Sequence, residues 1–125
     1  MEAMILDTNV LIEILKNNPD CIQTVESIKP PLYISIISAM ELLYGTRNKQ
    51  ELKKLQQFLT LFDAIPLTPN ISISAYALIA NYAKSHKLDI PEALIAATCI
   101  DANQTLFTYN IKDFKYILKL TLFYK

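Results

Sequence analysis

Met4-Ile5-Leu6-Asp7-Thr8-Asn9-Val10-Leu11-Ile12 is the stretch on which the fold turns. Three apolar residues in a row predict a short buried strand. Val10, Leu11, Ile14 and Leu15 then repeat at helical spacing. Asp7 falls at the junction, bracketed by hydrophobic residues, where an unpaired charge is expensive. An acid in that place either caps the helix that follows or serves a site, and for Asp7 the two readings stand level.

The pattern repeats outward from there. Pro19 opens a helical stretch with Cys21, Ile22, Val25 and Ile28 on one side, and Pro30-Pro31 ends it. Residues 32–37 are apolar and β-branched, a second buried strand. A helix over 38–44 stops at Gly45, a residue suited to closing a helix. Leu52, Leu55, Phe58, Leu59 and Phe62 mark an amphipathic helix, and residues 64–67 a short strand. Ile71, Ala75, Leu78, Ile79 and Tyr82 form the clearest helical stripe. A break at 88–91 leads to a helix over 92–102 and a strand over 105–108. A short helix over 111–118 and a last strand over 121–124 complete the chain. Strands alternating with helices predict an α/β fold, a single domain over residues 1–125. Its central parallel sheet would have about four to five strands, flanked by helices on both faces. Open parallel sheets hold ligands at the carboxyl ends of their strands. Asp7 lies there, Asp113 follows the 105–108 strand by one tight turn, and Glu41 can project over the same edge from the second strand's helix.

Composition narrows the chemistry. With 125 residues, 52% of them hydrophobic, the chain can bury one substantial core but not two. No apolar run is long enough to span a bilayer. The start of the chain has Glu2 and no basic stretch, so a soluble cytoplasmic protein is expected. Twelve basic and twelve acidic residues give zero net charge, so any grip on a polyanion must be local. Cys21 and Cys99 are far apart and in no ligand motif, which suits reduced, structural thiols. A single glycine, Gly45, excludes a phosphate-binding loop, a dinucleotide fingerprint and a nucleophile elbow. A single histidine, His86, excludes a two-histidine ribonuclease. It sits in the polar run Lys84-Ser85-His86-Lys87 and reads as solvated. Carboxylates remain.

Each candidate acid has a structural account of its own. Ser38-Ala39-Met40-Glu41 is a capping-box pattern, and Asp89-Ile90-Pro91-Glu92 can be read the same way, with Pro91 in the first turn. Asp113 can be a solvated turn residue. Singly, those readings are favoured for Glu41, Glu92 and Asp113. Together, acids converging on one sheet edge would repel one another and raise their own pKa values. A hard cation such as Mg²⁺ or Mn²⁺ removes that penalty through oxygen ligands. Phosphodiester hydrolysis is the chemistry that uses such a site, with one metal or a pair.

Four motifs then appear in order: Asp7-Thr8-Asn9-Val10-Leu11-Ile12, Glu41-Leu42-Leu43-Tyr44-Gly45, Glu92-Ala93-Leu94-Ile95-Ala96-Ala97-Thr98 and Thr108-Tyr109-Asn110-Ile111-Lys112-Asp113-Phe114. Together they closely resemble the PIN-domain ribonucleases, in particular the VapC-type toxins of type II toxin–antitoxin pairs. The likeness runs from residue 4 to about 122. It implies an endoribonuclease dependent on Mg²⁺ or Mn²⁺, a homodimer, and a cognate antitoxin as partner. It also implies that Asp7, Glu41, Glu92 and Asp113 are the catalytic, metal-binding quartet. Thr8, Asn9, Thr108 and Asn110 match the polar residues that support them.

Two positions depart from the family pattern. Glu92 stands where the third acid is usually Asp, and its extra methylene adds about 1.5 Å of reach. Tyr109 stands where relatives often carry a basic residue. The alternative function is therefore a PIN-like module that binds RNA or protein without cleaving. A haloacid-dehalogenase phosphatase needs a second Asp where Asn9 stands, and a phosphoacceptor receiver pattern is not met either. Lys112 and Lys115, with Lys119, can track a phosphate backbone, against the reading of a solvated face. Tyr109 and Tyr116 can stack bases, or be core. Leu43, Tyr44, Leu52, Leu55, Phe58 and Phe62 can form a groove for an antitoxin helix, or be core. The stripe over 52–62 is also the expected dimer contact.

Overall fold

A computed structural model describes residues 2–124. The elements are β1 (Met4–Leu6), α1 (Thr8–Leu15), α2 (Pro19–Glu26), β2 (Tyr33–Ser35), α3 (Ile36–Tyr44) and α4 (Lys49–Leu59), then β3 (Asp63–Ile65), α5 (Pro69–His86), α6 (Ile90–Ala102) and β4 (Thr105–Phe107). A 3-10 turn, Ile111–Asp113, follows β4. The four strands form one parallel sheet in the order β3-β2-β1-β4.

The helix starts are written in the sequence. Asn18 caps α2 ahead of Pro19, Thr68 caps α5 ahead of Pro69, and Asn48 caps α4. Each offers a side-chain oxygen to an amide that has no partner within the helix. Proline at the first helical position lacks the amide that would go unpaired. The second strand is shorter than its apolar run because the Ser35 hydroxyl accepts from the Ile37 amide and starts α3 there. The expected capping box from Ser38 to Glu41 is therefore not formed, and Ser38 is buried in the first turn. Gly45 does close α3, but at φ −79°, a conformation open to any residue.

The end of the chain departs most from expectation. Residues 111–118 form no α-helix. Phe114, Ile117 and Leu120 donate their amides three residues back, to Ile111, Phe114 and Ile117, which winds the chain in successive tight turns. Those turns drive Phe114 and Ile117 into the core. The last strand is reduced to one parallel bridge, between Leu122 and Leu106.

Strand alternation divides the interior into two halves. Ile5 and Leu106 point into a core closed by α5, α6, Phe114 and Ile117. Met4, Leu6 and Phe107 point into the other, closed by α1 to α4 and Phe62. Leu55, Phe58 and Leu59 of α4 pack against this second core, which uses up most of the stripe expected to make a dimer contact. Among the described residues, no helix is long and apolar enough to cross a membrane.

The sheet order positions the site. From β1 the chain moves to β2 and β3 on one side, then returns to lay β4 on the other. The crevice between the carboxyl ends of β1 and β4 is thus the switch point, where such sheets bind their ligands.

Candidate active site

Asp7 leaves β1 directly into that crevice and is 5% exposed. Its amide donates to the Phe107 carbonyl at 2.9 Å, continuing the β1–β4 pairing by one residue. Its carboxylate is held on both oxygens. Oδ1 accepts from the Thr8 amide at 2.8 Å. Oδ2 accepts from the Thr108 hydroxyl at 2.7 Å and the Asn9 amide group at 3.2 Å. Asp7 is therefore the cap of α1 and also lines the cleft, so neither reading excludes the other.

Asn9, Thr108 and Asn110 form one web around it. Thr108 Oγ1 accepts from Asn9 Nδ2 at 3.2 Å and from the Asn110 amide at 3.0 Å. Asn9 Oδ1 accepts from the Tyr109 amide at 3.0 Å. The start of α1 is thereby tied to the turn after β4. Burial pushes the Asp7 pKa above its ordinary value, the Thr108 and Thr8 hydrogen bonds pull it back, and the charges of Glu41 and Asp113 push it up further.

Glu41 is oriented from α3. The Thr8 hydroxyl contacts Glu41 Oε1 at 2.8 Å and Ser38 Oγ at 2.9 Å. One hydroxyl has one proton to give. Ser38 donating to Thr8 leaves that proton for Glu41. Ser38 is a residue the sequence reading assigned to a cap, and no sequence signal marked it as a support for the site.

Glu92 does form the capping box. Its amide donates to Asp89 Oδ1 at 2.8 Å, and its Oε1 accepts from the Asp89 amide at 3.3 Å. It also lines a cleft of about 240 Å³ with Asp7, Thr8, Asn9, Glu41, Asp89 and Asn110. Burial, and then the charges of Asp89 and Asp113, raise its pKa to about 7 against the pull of the Asp89 amide. Asp89 was read from sequence as a cap alone, and the structure adds it to the acids of the cleft. Asp113 is exposed in the 3-10 turn beside the cleft, with its charge felt by both Asp7 and Glu92. Lys112 and Lys115 are exposed on either side of it.

The oxygen donors of this cleft suit a hard divalent cation, which would offset both the burial of the Asp7 charge and the smaller repulsion from Glu41 and Asp113. Among the described residues, no three acid, histidine or cysteine side chains already converge as a ligand set. Glu92 is turned to the Asp89 amide. Tyr109 is 44% exposed, with its ring edge-on to Phe107 at 5.3 Å. Tyr116 is not available to a base, because His86 stacks on it at 4.0 Å. His86 is thus not merely solvated. Cys21 and Cys99 are buried free thiols, as expected.

A parallel sheet with acids gathered at its switch point defines a class, and the sequence matches it: the PIN domain family model covers residues 4–118, and the chain belongs to that family. Within it, the chain stands with the VapC-type toxins. It is 29% identical to a chain of a toxin–antitoxin complex from Klebsiella pneumoniae, covering 94% of this chain and 95% of that one, with a TM-score of 0.79. It is 28% identical to a chain of VapBC2 from Rickettsia felis bound to a promoter DNA fragment, covering 98% of each, also at 0.79. For VapBC-1 from nontypeable Haemophilus influenzae the identity is 26%, the coverage 98% and 97%, and the TM-score 0.80. No curated protein sequence matches the chain. Family and neighbours support a toxin nuclease role.

Proposed function

We propose that the chain is a divalent-metal-dependent endoribonuclease, the toxin of a toxin–antitoxin pair, acting on cytoplasmic RNA. The observation that carries this reading is the Asp7 carboxylate. It is buried at the switch point, held on both oxygens, and reached by the charges of Glu41 and Asp113.

Asp7, Glu41, Glu92 and Asp113 are the residues that would hold Mg²⁺ or Mn²⁺. A bound ion supplies an activated water and neutralises the charge that builds on the phosphate oxygens. The protein's own part is placement. Thr108, Asn9 and the Thr8 amide fix the Asp7 carboxylate, so little reorganisation remains when substrate arrives. Thr8, backed by Ser38, fixes Glu41. Lys112 and Lys115 draw the phosphate backbone to the Asp113 side. Tyr109, exposed in a neighbouring hollow that shares Asn9 with the cleft, offers a ring on which a base can stack.

One observation favours a second reading, a PIN module that binds RNA or protein without cleaving it. Glu92 is engaged in its capping box rather than turned to its fellow acids. Cleavage of a short RNA separates the two. The nuclease reading expects hydrolysis with Mg²⁺ or Mn²⁺ that stops in excess chelator. Asp7→Asn should abolish it while the melting temperature in chelator stays within a few degrees of wild type. Equal cleavage in EDTA, or an active Asp7→Asn protein, defeats the proposal.

A further inference from the structure

Tyr116 has a buried hydroxyl oxygen with no hydrogen-bond partner, the sole side-chain polar atom in that condition among the described residues. Buried hydroxyls in folded proteins are nearly always satisfied, so such an atom calls for a partner. Its ring cannot turn to find one. His86 stacks on it, with ring centres 4.0 Å apart and planes 17° apart. Tyr82 tilts against it at 4.9 Å. This clamp is built by α5, whose last residue, His86, lies three before Asp89, and Tyr116 packs against the core cluster that includes Phe114 and Ala93, the residue after Glu92. Burial raises the Tyr116 pKa, and the charges of Glu92, Asp113 and Asp89 raise it further, with Glu92 first among them. The phenol is a donor, and the acids whose charges reach it are acceptors.

Glu92 has reason to move towards it. The hydrogen bond from the Asp89 amide to Glu92 Oε1 is 3.3 Å long, beyond the ordinary range for an amide donor. Asp89 keeps its other link, the 2.8 Å bond from the Glu92 amide, wherever the Glu92 side chain goes. Helix α6 therefore stays capped when the carboxylate leaves.

We propose that Tyr116 is a positioning residue of the metal site. Its hydroxyl donates to the Glu92 carboxylate once that side chain turns from Asp89 towards the cation, and so fixes which oxygen is presented. This rests on the metal-site reading above. It also gives the longer acid at this position a device for placing it that a shorter Asp would not need.

The test is Mn²⁺ binding to the full chain, followed by loss of the free-ion paramagnetic resonance signal, with melts in chelator. Tyr116→Phe keeps the ring and its stacking and removes only the hydroxyl. The expected result is an Mn²⁺ midpoint weaker by about tenfold, the lower end for a residue that orients a ligand. The melting temperature in chelator should equal or exceed that of wild type, because an unpaired buried hydroxyl has been removed. In a Glu92→Ala background, Tyr116→Phe should produce no further loss. The proposal is overturned if Tyr116→Phe titrates like wild type, or if it causes the same loss without Glu92. A large fall in melting temperature also overturns it, since the hydroxyl would then be structural. If wild type binds no Mn²⁺, or Asp7→Asn binds it equally well, the metal-site reading itself falls, and this one with it.

Discussion

The Glu92 carboxyl is caught between a weak capping hydrogen bond and the charges of Asp89 and Asp113. Burial is the largest cause of its raised pKa of about 7, against 4.5 for a free glutamate. The sign of the consequence follows from linkage. The folded protein holds this proton to higher pH than the unfolded chain, so the metal-free fold loses stability as pH rises from about 4.5 to about 7. Asp7, whose pKa is also raised, acts in the same direction. In chelator, the melting temperature should rise by a few degrees on going from pH 7 to pH 5. The gain is modest because Glu92 is partly exposed and screened. Glu92→Gln is neutral throughout and should lose part of that slope. A slope unchanged in Glu92→Gln would show that Glu92 titrates normally. At this scale the sequence was informative wherever one residue's neighbours settled its environment. Asp7 was legible because an apolar run delivers it to a strand's end. Ser38 was misread because Ser35, three residues earlier, competes successfully for the same capping role. Tyr116 was illegible because its clamp comes from another helix, and nothing local marks a hydroxyl as unsatisfied.

Helix α5 shows what an element reveals and conceals. The apolar stripe announced it, and Ile71, Ala75 and Leu78 are buried where the stripe placed them. The opposite side carries Ile73, 69% exposed, and Tyr76, 79% exposed, three residues apart and so neighbours on one surface. The dimer was expected through the stripe over 52–62, of which the second core takes Phe62 and part of Leu55, Phe58 and Leu59. If the chain is a homodimer, this side of α5 is the better seat. Wild type should sediment as a dimer at tens of micromolar, a concentration that reports even modest interfaces. Ile73→Lys with Tyr76→Lys should sediment as a monomer. A monomeric wild type would remove the dimer, and a dimeric double variant would remove α5 from it. The elements that escaped the sequence are the short ones. Three-residue strands carry too few positions to show where they stop, so β2 was extended into the start of α3. After β4, the apolar residues of 111–118 look helical by spacing. They are spent on tight turns that insert Phe114 and Ile117 into the core, a tertiary demand with no local signature.

At the scale of the whole molecule, the absence of net charge removes long-range attraction for a polyanion, so any such attraction has to come from local cations such as Lys112 and Lys115. Recognition by a protein partner then has to come from shape. A groove of about 500 Å³ runs between α1, α3 and α4. Its floor is Ile12, Leu15, Leu42 and Leu55, and Glu51 and Lys54 also line it. The expected groove residues Leu43, Tyr44, Leu52, Phe58 and Phe62 do not line it, and Leu55 does. Thr8 and Glu41 line both this groove and the acidic cleft, so an apolar segment lying in the groove meets the proposed catalytic acids at its end. An antitoxin seated there would silence the nuclease by proximity, without any change of fold. Leu15 is the residue to test, because it is 44% exposed in the groove and lies at the far end of α1 from Asp7. Leu15→Glu places a charge on an apolar floor, which should weaken inhibition by the cognate antitoxin at least about tenfold, equivalent to about 1.4 kcal/mol. Metal-dependent cleavage by the free variant should match wild type. If the antitoxin silences Leu15→Glu at the same molar ratio as wild type, its inhibitory segment binds elsewhere. If the free variant has itself lost cleavage, the groove and the active site are not separable in the way their shared residues imply.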